Sequence, residues 1–580
     1  MIKYLALLLF LLVNSNLYSS DVQVIELHEN ITLDQMVLDQ LSDETESEDE
    51  INEIIENEDE NENDVKETEI EFTKNLISQN DSSFVNTILN NSKNIKSKLL
   101  QSEFNFLLLN LKLDYENKNN REIFLLLVNY FYEIGDISKA YNLIKSRDIS
   151  EDENLNFYNF LEMNYLLSTS QLENVCNFKN FLSPDLNSKS SFVDKIEIFC
   201  LILENKLSEA DLLNSIMIET EENFDNNFQQ LISFLTNEED DYNSLNKFVL
   251  KNINPDLIFL YSAMARIAEL PLNEQFLEVD PLNLAIPIIL NKSTPDSLRL
   301  KAANHSFNNE NISVESLAAL YQSLDFNAQQ LNSSEEIVLE LESNVELLMA
   351  YYFQYINIQI FPSERLDAII KFWNYAKSKN LEFIAYSLTY KIIDSIEILP
   401  EYLEYSPQIA ISYIYNRDLD KALKWIDFYE KSIGIDDKIA YVRVLLNLYS
   451  AENVSSVIEI ISNNFKTFSN LNNYKAEELI YTIFNSLENV HNQTLRNDFE
   501  NIFDDRQMPS IFITENIINA IEIQNENEFL IYSIISINNK QWKEIHPNHL
   551  KILIEGYFYY KDGEIIKDLI LEIFENYKII

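Results

Sequence analysis

Few residues in this chain combine the types and spacing that chemistry needs. Of the five histidines, His546 and His549 stand three apart around Pro547, with Glu544 and Glu555 close in sequence. That spacing can bring two imidazoles together as metal ligands. No cysteine or third histidine completes a set, so the pair reads as a surface or capping feature. Asp59, Asn61 and Asn63 repeat the first spacings of a calcium loop, but Asp64 stands where the loop needs glycine and Ile70 where it needs a bidentate glutamate. Four glycines in 580 residues leave no phosphate loop, dinucleotide fingerprint or nucleophile elbow, all of which use glycine for close backbone approach. No catalytic, cofactor-binding or metal-ligating residue is assigned.

The two cysteines carry a more specific reading. Cys176 falls just inside the second helix of one predicted helix pair, and Cys200 falls in the first helix of the next. With a turn near 184–190, antiparallel neighbours place them at similar heights, and a Cys176–Cys200 disulfide is expected in an oxidising compartment. Two buried free thiols are the alternative. Tyr351, Tyr352 and Tyr355 form an aromatic stripe that can line a peptide groove, although helix-packing core is the favoured account.

Helices must position these residues. Only 4 Gly and 11 Pro in 580 residues leave little material for hairpin turns and bulges, while 46% hydrophobic residues provide ample burial. A formal charge of −52 excludes nucleic-acid binding, which needs clustered Lys and Arg, and argues against anionic lipid. Residues 1–20 read as a signal peptide: Lys3 supplies the positive end, and Leu5–Val13 is an apolar run too short to span a bilayer. Later apolar runs such as 347–361 are interrupted by Gln354, Asn357 and Gln359, so no transmembrane span is expected. Residues 21–72 form an acidic lead, expected to be largely disordered, in which 42–71 hold 16 acids against Lys66 alone.

From about Phe72 the helical pattern is continuous. In 121–146, Leu126, Leu127, Tyr130 and Phe131 share one face, Gly135 ends that helix, and Asp136 can cap a second with Ile137, Ala140, Tyr141 and Ile144 in step. The small or aliphatic residue after this turn recurs at Ala140, Val175 and Ala210, and again at Ala422 and Val457, each step being 35 residues. This pattern of turn, Lys-Ala and aromatic resembles a degenerate tetratricopeptide repeat or a related α-solenoid repeat. Leu127 and Ala140 can occupy motif positions, but Val128 stands where that family has Gly, Ile144 replaces an aromatic, and the motif Trp is missing. Periplasmic lytic transglycosylases also carry a long helical superhelix, with a catalytic Glu-Ser pair. Glu342-Ser343 is similar, but the Gly-rich, Met-Gln-containing segment that should follow is replaced by NVELLMAYYFQY.

The expectation is an all-α chain: an α-solenoid of antiparallel helix pairs in an N-terminal half (73–270) and a C-terminal half (296–580). Between them, Pro271, Pro281, Pro287 and Pro295 mark a junction at 271–295, after which Thr294 should cap a helix that starts with Pro295. The signal peptide, the repeat architecture and the lack of a catalytic set lead to the expectation of a non-enzymatic exported scaffold, periplasmic or extracellular, binding a peptide or protein partner along its concave face without a cofactor. The alternatives are the superhelix of a cell-wall glycan enzyme or its regulator, and a structural spacer without a specific ligand.

Overall fold

The computed structural model describes residues 82–577 except 112, 114, 187–190, 221–224, 237–249, 310, 333, 453, 561–562 and nearly all of 465–505. The signal peptide, the acidic lead and the failed calcium loop lie outside the described residues. Among those described, every regular element is helical. The first run comprises α1 (Ser82–Ser92), α2 (Lys98–Leu109), α3 (Lys118–Glu133), α4 (Ile137–Lys145), α5 (Leu155–Ser168), α6 (Leu172–Phe178), α7 (Phe192–Leu203), α8 (Leu207–Thr220) and α9 (Asn226–Leu235). A middle run follows with α10 (Ile258–Ile267), the short α11 (Glu274–Val279) and α12 (Ala285–Leu290), α13 (Asp296–Asn308), α14 (Val314–Gln322), α15 (Ala328–Asn332) and α16 (Ser334–Leu341). Then come α17 (Val345–Ile358), α18 (Pro362–Ser378), α19 (Glu382–Asp394), α20 (Ser406–Tyr415), α21 (Leu419–Ser432), α22 (Asp437–Tyr449) and α23 (Val454–Asn463). The last are α24 (Ile511–Glu522), α25 (Glu526–Ile537), α26 (Pro547–Tyr560) and α27 (Gly563–Asn576).

One turn recurs through this chain. Gly135, Ser170, Asn205, Asn380, Arg417 and Gln524 all have positive φ, and each stands two residues before the next helix begins. The residue after each donates its N–H to the carbonyl five back: Asp136 to Phe131, Gln171 to Leu166, Lys206 to Leu201, Leu381 to Ala376, Asp418 to Tyr413 and Asn525 to Ala520. This is the Schellman closure of a helix C-terminus. Its last residue is already the N-cap of the next helix, so the chain reverses within a very short link and the two helices pack antiparallel.

The register residues found in the sequence keep one place in this geometry. Ala140, Val175, Ala210, Ala422 and Val457 are each the fourth residue of a second helix, and all are buried. Ala385 in α19 and Ile566 in α27 take the same place and are buried too. Along α17–α22 each helix packs on the next, as expected when only one stripe per helix is apolar. Tyr141 departs from the expected face: it is half-buried and stacks on Tyr165, with ring centroids 3.9 Å apart.

The Pro-rich junction is helical and packed. Pro287 is buried inside α12, and Leu270, Leu272, Phe276 and Ile288 join a hydrophobic cluster that runs from Val85 to Tyr577. Thr294 does not cap α13. Its hydroxyl accepts from the Leu272 N–H, and Pro295 takes the N-cap place. The array also closes on itself, because α25 packs against α1 and α2. Glu572 of α27 accepts from the Leu99 N–H at 3.1 Å and from the Trp542 indole at 2.9 Å.

Candidate functional site

The residues singled out in the sequence are scattered over the fold. His549 is buried, with Nε2 2.8 Å from the Ser536 hydroxyl, and burial lowers its pKa to about 4. His546 is engaged elsewhere: its Nδ1 accepts from the Asn548 N–H at the start of α26. Among the described residues, no group of three or more His, Cys, Asp or Glu is placed to hold a metal ion. Glu342 and Ser343 are exposed in the turn after α16. Tyr351 belongs to the core: it is fully buried, stacks on Tyr355, and donates to the Gln330 carbonyl at 3.1 Å. Tyr352 packs on Phe372 and Tyr375. Cys176 of α6 and Cys200 of α7 form a disulfide, with Cα atoms 5.5 Å apart. No described helix is long and apolar enough to cross a membrane.

A recess of about 500 Å³ opens beside the α3–α4 hairpin. Arg121, in the first turn of α3, bonds the Tyr115 carbonyl at 2.9 Å and so fixes the incoming loop. This holds the Tyr115 ring edge-on to Phe124, with centroids 5.4 Å apart. Past the end of α4, Arg147 lays its guanidinium 4.0 Å above Tyr115 and 5.0 Å from the Phe124 centroid. Such contacts hold a cation on an aromatic face. Burial lowers the Arg147 pKa.

The facing wall is acidic. Glu116, Asp148, Glu151, Asp152 and Glu153 all line the recess. Asp148 accepts from the hydroxyl and N–H of Ser150, which hold its carboxyl below the usual range. Asp152 accepts from the N–H and side-chain amide of Asn154 and thereby shapes the entry to α5. Behind this wall the Tyr158 hydroxyl is buried without a hydrogen-bond partner, its pKa raised by burial and then by Asp152 and Glu153. The arrangement pairs one aromatic-seated guanidinium with several carboxylates and a buried hydroxyl. Such a set of groups has the chemistry to meet a cationic or zwitterionic ligand.

Sequence reasoning passed over this recess. Its signal in the sequence is Arg147 followed by Asp148, Glu151, Asp152 and Glu153, charges that match no motif spacing. Its floor comes from Tyr115 and Phe124, and only the folded hairpin brings them under Arg147.

A second polar centre is structural. Lys195 is buried with its ammonium 2.9 Å from Asp225, which also takes the Tyr261 hydroxyl and the Phe228 N–H at the start of α9. Such a filled set joins α7, α9 and α10 and leaves no open face for a ligand.

In comparisons with known proteins, no family model, no curated protein and no solved structure matches this chain.

Proposed function

We propose that this chain is a non-catalytic, exported helical-repeat scaffold of the tetratricopeptide-like kind that binds a basic peptide or protein segment. The observation that carries the reading is the recess beside Arg147, with carboxylates on one wall and a cation already seated on the other. A Lys or Arg side chain of the partner pairs with Asp152 and Glu153, while Arg147 meets a backbone carbonyl or carboxylate. The recurring turn and its buried register residue support a stacked-pair architecture, which offers surface for binding along its length. Binding is centred on the α3–α5 recess, and the concave face expected from the sequence extends it along the repeats. The Cys176–Cys200 disulfide supports export, since oxidising compartments retain such bonds.

Fluorescence anisotropy with a labelled Lys-rich peptide and its Glu-rich counterpart tests the reading. The Lys-rich peptide should bind and weaken with salt, and Asp152→Asn with Glu153→Gln should reduce affinity about tenfold, as expected for a partly desolvated charge pair. Equal binding of the Glu-rich peptide, or no effect of the double variant, would overturn it.

A further inference from the structure

The helices α17 to α22 run back and forth, each packed on the next. Connections after α17, α19 and α21 therefore emerge on one rim, and those after α18 and α20 on the other. Direct contacts tie the first rim together. The Tyr405 hydroxyl donates to Asp367 in the first turns of α18 at 2.5 Å, and the 3-10 turn Pro400–Tyr405 packs on α21. Arg365 pins the α17–α18 link by bonding the Gln359 carbonyl.

All three connections on this rim show large apolar side chains to solvent. Ile360 and Phe361 are 74% and 62% exposed, Ile433 and Ile435 are 58% and 74% exposed, and Ile398 and Leu399 stand between them at 37% and 38%. The turns of the opposite rim are polar, with Lys379 and Asn380 in one and Asn416 and Arg417 in the next, and Phe383 beside the first, 43% exposed, stacks on Phe307. Single exposed hydrophobes are ordinary on any protein. Six on three neighbouring loops of one rim are a concentration of the kind that marks an interaction surface.

The charges among these loops select the occupant. Glu364, Glu397, Glu401, Glu404, Asp436 and Asp437 are exposed on the same rim, against Lys431 and Lys438, while Arg365 is committed to Gln359. A second copy would bring like charge onto like charge, and an anionic bilayer would be repelled. We propose that this rim docks a protein partner whose apolar recesses are ringed by Lys and Arg. The loop tips act as anchors and the acids as a steering fringe. This surface is separate from the recess beside Arg147, and the inference stands without it.

The test uses the full chain and an amphipathic helical peptide with one leucine face and one lysine face, set against a leucine–glutamate counterpart. The Leu/Lys peptide should bind, and the triple substitution Ile360→Ser, Phe361→Ser, Ile435→Ser should weaken it about tenfold or more, as loss of central anchors does. All three residues are exposed, and an unchanged far-UV spectrum verifies the fold. Arg147→Ala should leave this binding intact, which separates the rim from the recess. Equal affinity for the Leu/Glu peptide, or an unaffected triple variant, overturns the proposal. So does co-sedimentation with phosphatidylcholine vesicles, or self-association that the triple variant abolishes.

Discussion

Asp280 faces the turn that begins the repeat pattern. Its carboxyl is almost wholly buried and accepts from the N–H and side-chain amide of Asn283, while that same amide also donates to the Gly135 carbonyl. A Cβ at position 135 would come within 3.3 Å of the Asp280 carboxylate, and the φ of +86° there is one that glycine adopts without strain. Burial outweighs these hydrogen bonds and raises the Asp280 pKa to about 7, with Asp136 adding to the rise. The group is an acid near 3.9 when unfolded, so the folded state disfavours its charge. Stability is then lost as pH rises from about 4 to 7, and the loss levels off above that, reaching on the order of 4 kcal/mol as an upper figure. Asp280→Asn keeps a carbonyl acceptor and removes the charge. It should raise the thermal midpoint at pH 8, with the gain shrinking steadily toward pH 4. A gain independent of pH would show that Asp280 ionises in the folded protein as easily as in the unfolded chain. The sequence reveals Gly135 and the Asp136 cap because both are local signals. It does not reveal Asp280, since the Asn283–Gly135 bond spans 148 residues.

At the scale of elements, the chain replaces glycine with a turn geometry. Asn205, Asn380, Ser170, Arg417 and Gln524 occupy the left-handed position that Gly135 fills in the first hairpin. Asn tolerates that region, while the others carry a cost of about 1 kcal/mol that the Schellman bonds and helix packing offset. A glycine-based reading of the sequence therefore detects one turn and misses its five relatives. The buried residue after the turn is the more legible mark, because helix packing constrains its size directly. One element breaks the size rule. In α25 the fourth residue is Phe529, and the partner helix α26 answers with Gly556, where a Cβ would lie 2.1 Å from the Phe529 ring. Gly556→Ala gains about 1 kcal/mol of helix propensity, but overpacking costs about 1–3 kcal/mol, so the net effect should be destabilising. In a Phe529→Leu background the same change should become neutral or stabilising. Denaturation midpoints of the four proteins in this cycle measure the coupling, and simple additivity would refute the contact.

Over the whole molecule, the feature that local reading could not supply is closure. Periodicity describes how each pair meets its neighbour, and by itself it implies two free ends. Here α25 covers α1 and α2, and the Glu572 carboxylate caps the first turn of α2 beside the Ser97 hydroxyl, which accepts from Leu100. Helix N-termini present orphan N–H groups and a partial positive charge, so a carboxylate there is doubly favourable. Glu572 reaches across 473 residues of sequence to provide it, and its other oxygen takes the Trp542 indole. The Tyr449 hydroxyl donates to Glu575 on the same helix, which ties α22 into the closure. Because the hydrophobic cluster continues through this contact, the closing helices should share their opening equilibrium. Removing a charged hydrogen-bond acceptor that serves two donors costs about 2–3 kcal/mol. Glu572→Ala should therefore speed amide exchange in α2, α25 and the Trp542 turn together, while α7 and α8, which pack mainly on each other, keep their protection. Faster exchange confined to α27, with α2 unchanged, would mean that the ends touch without being energetically joined.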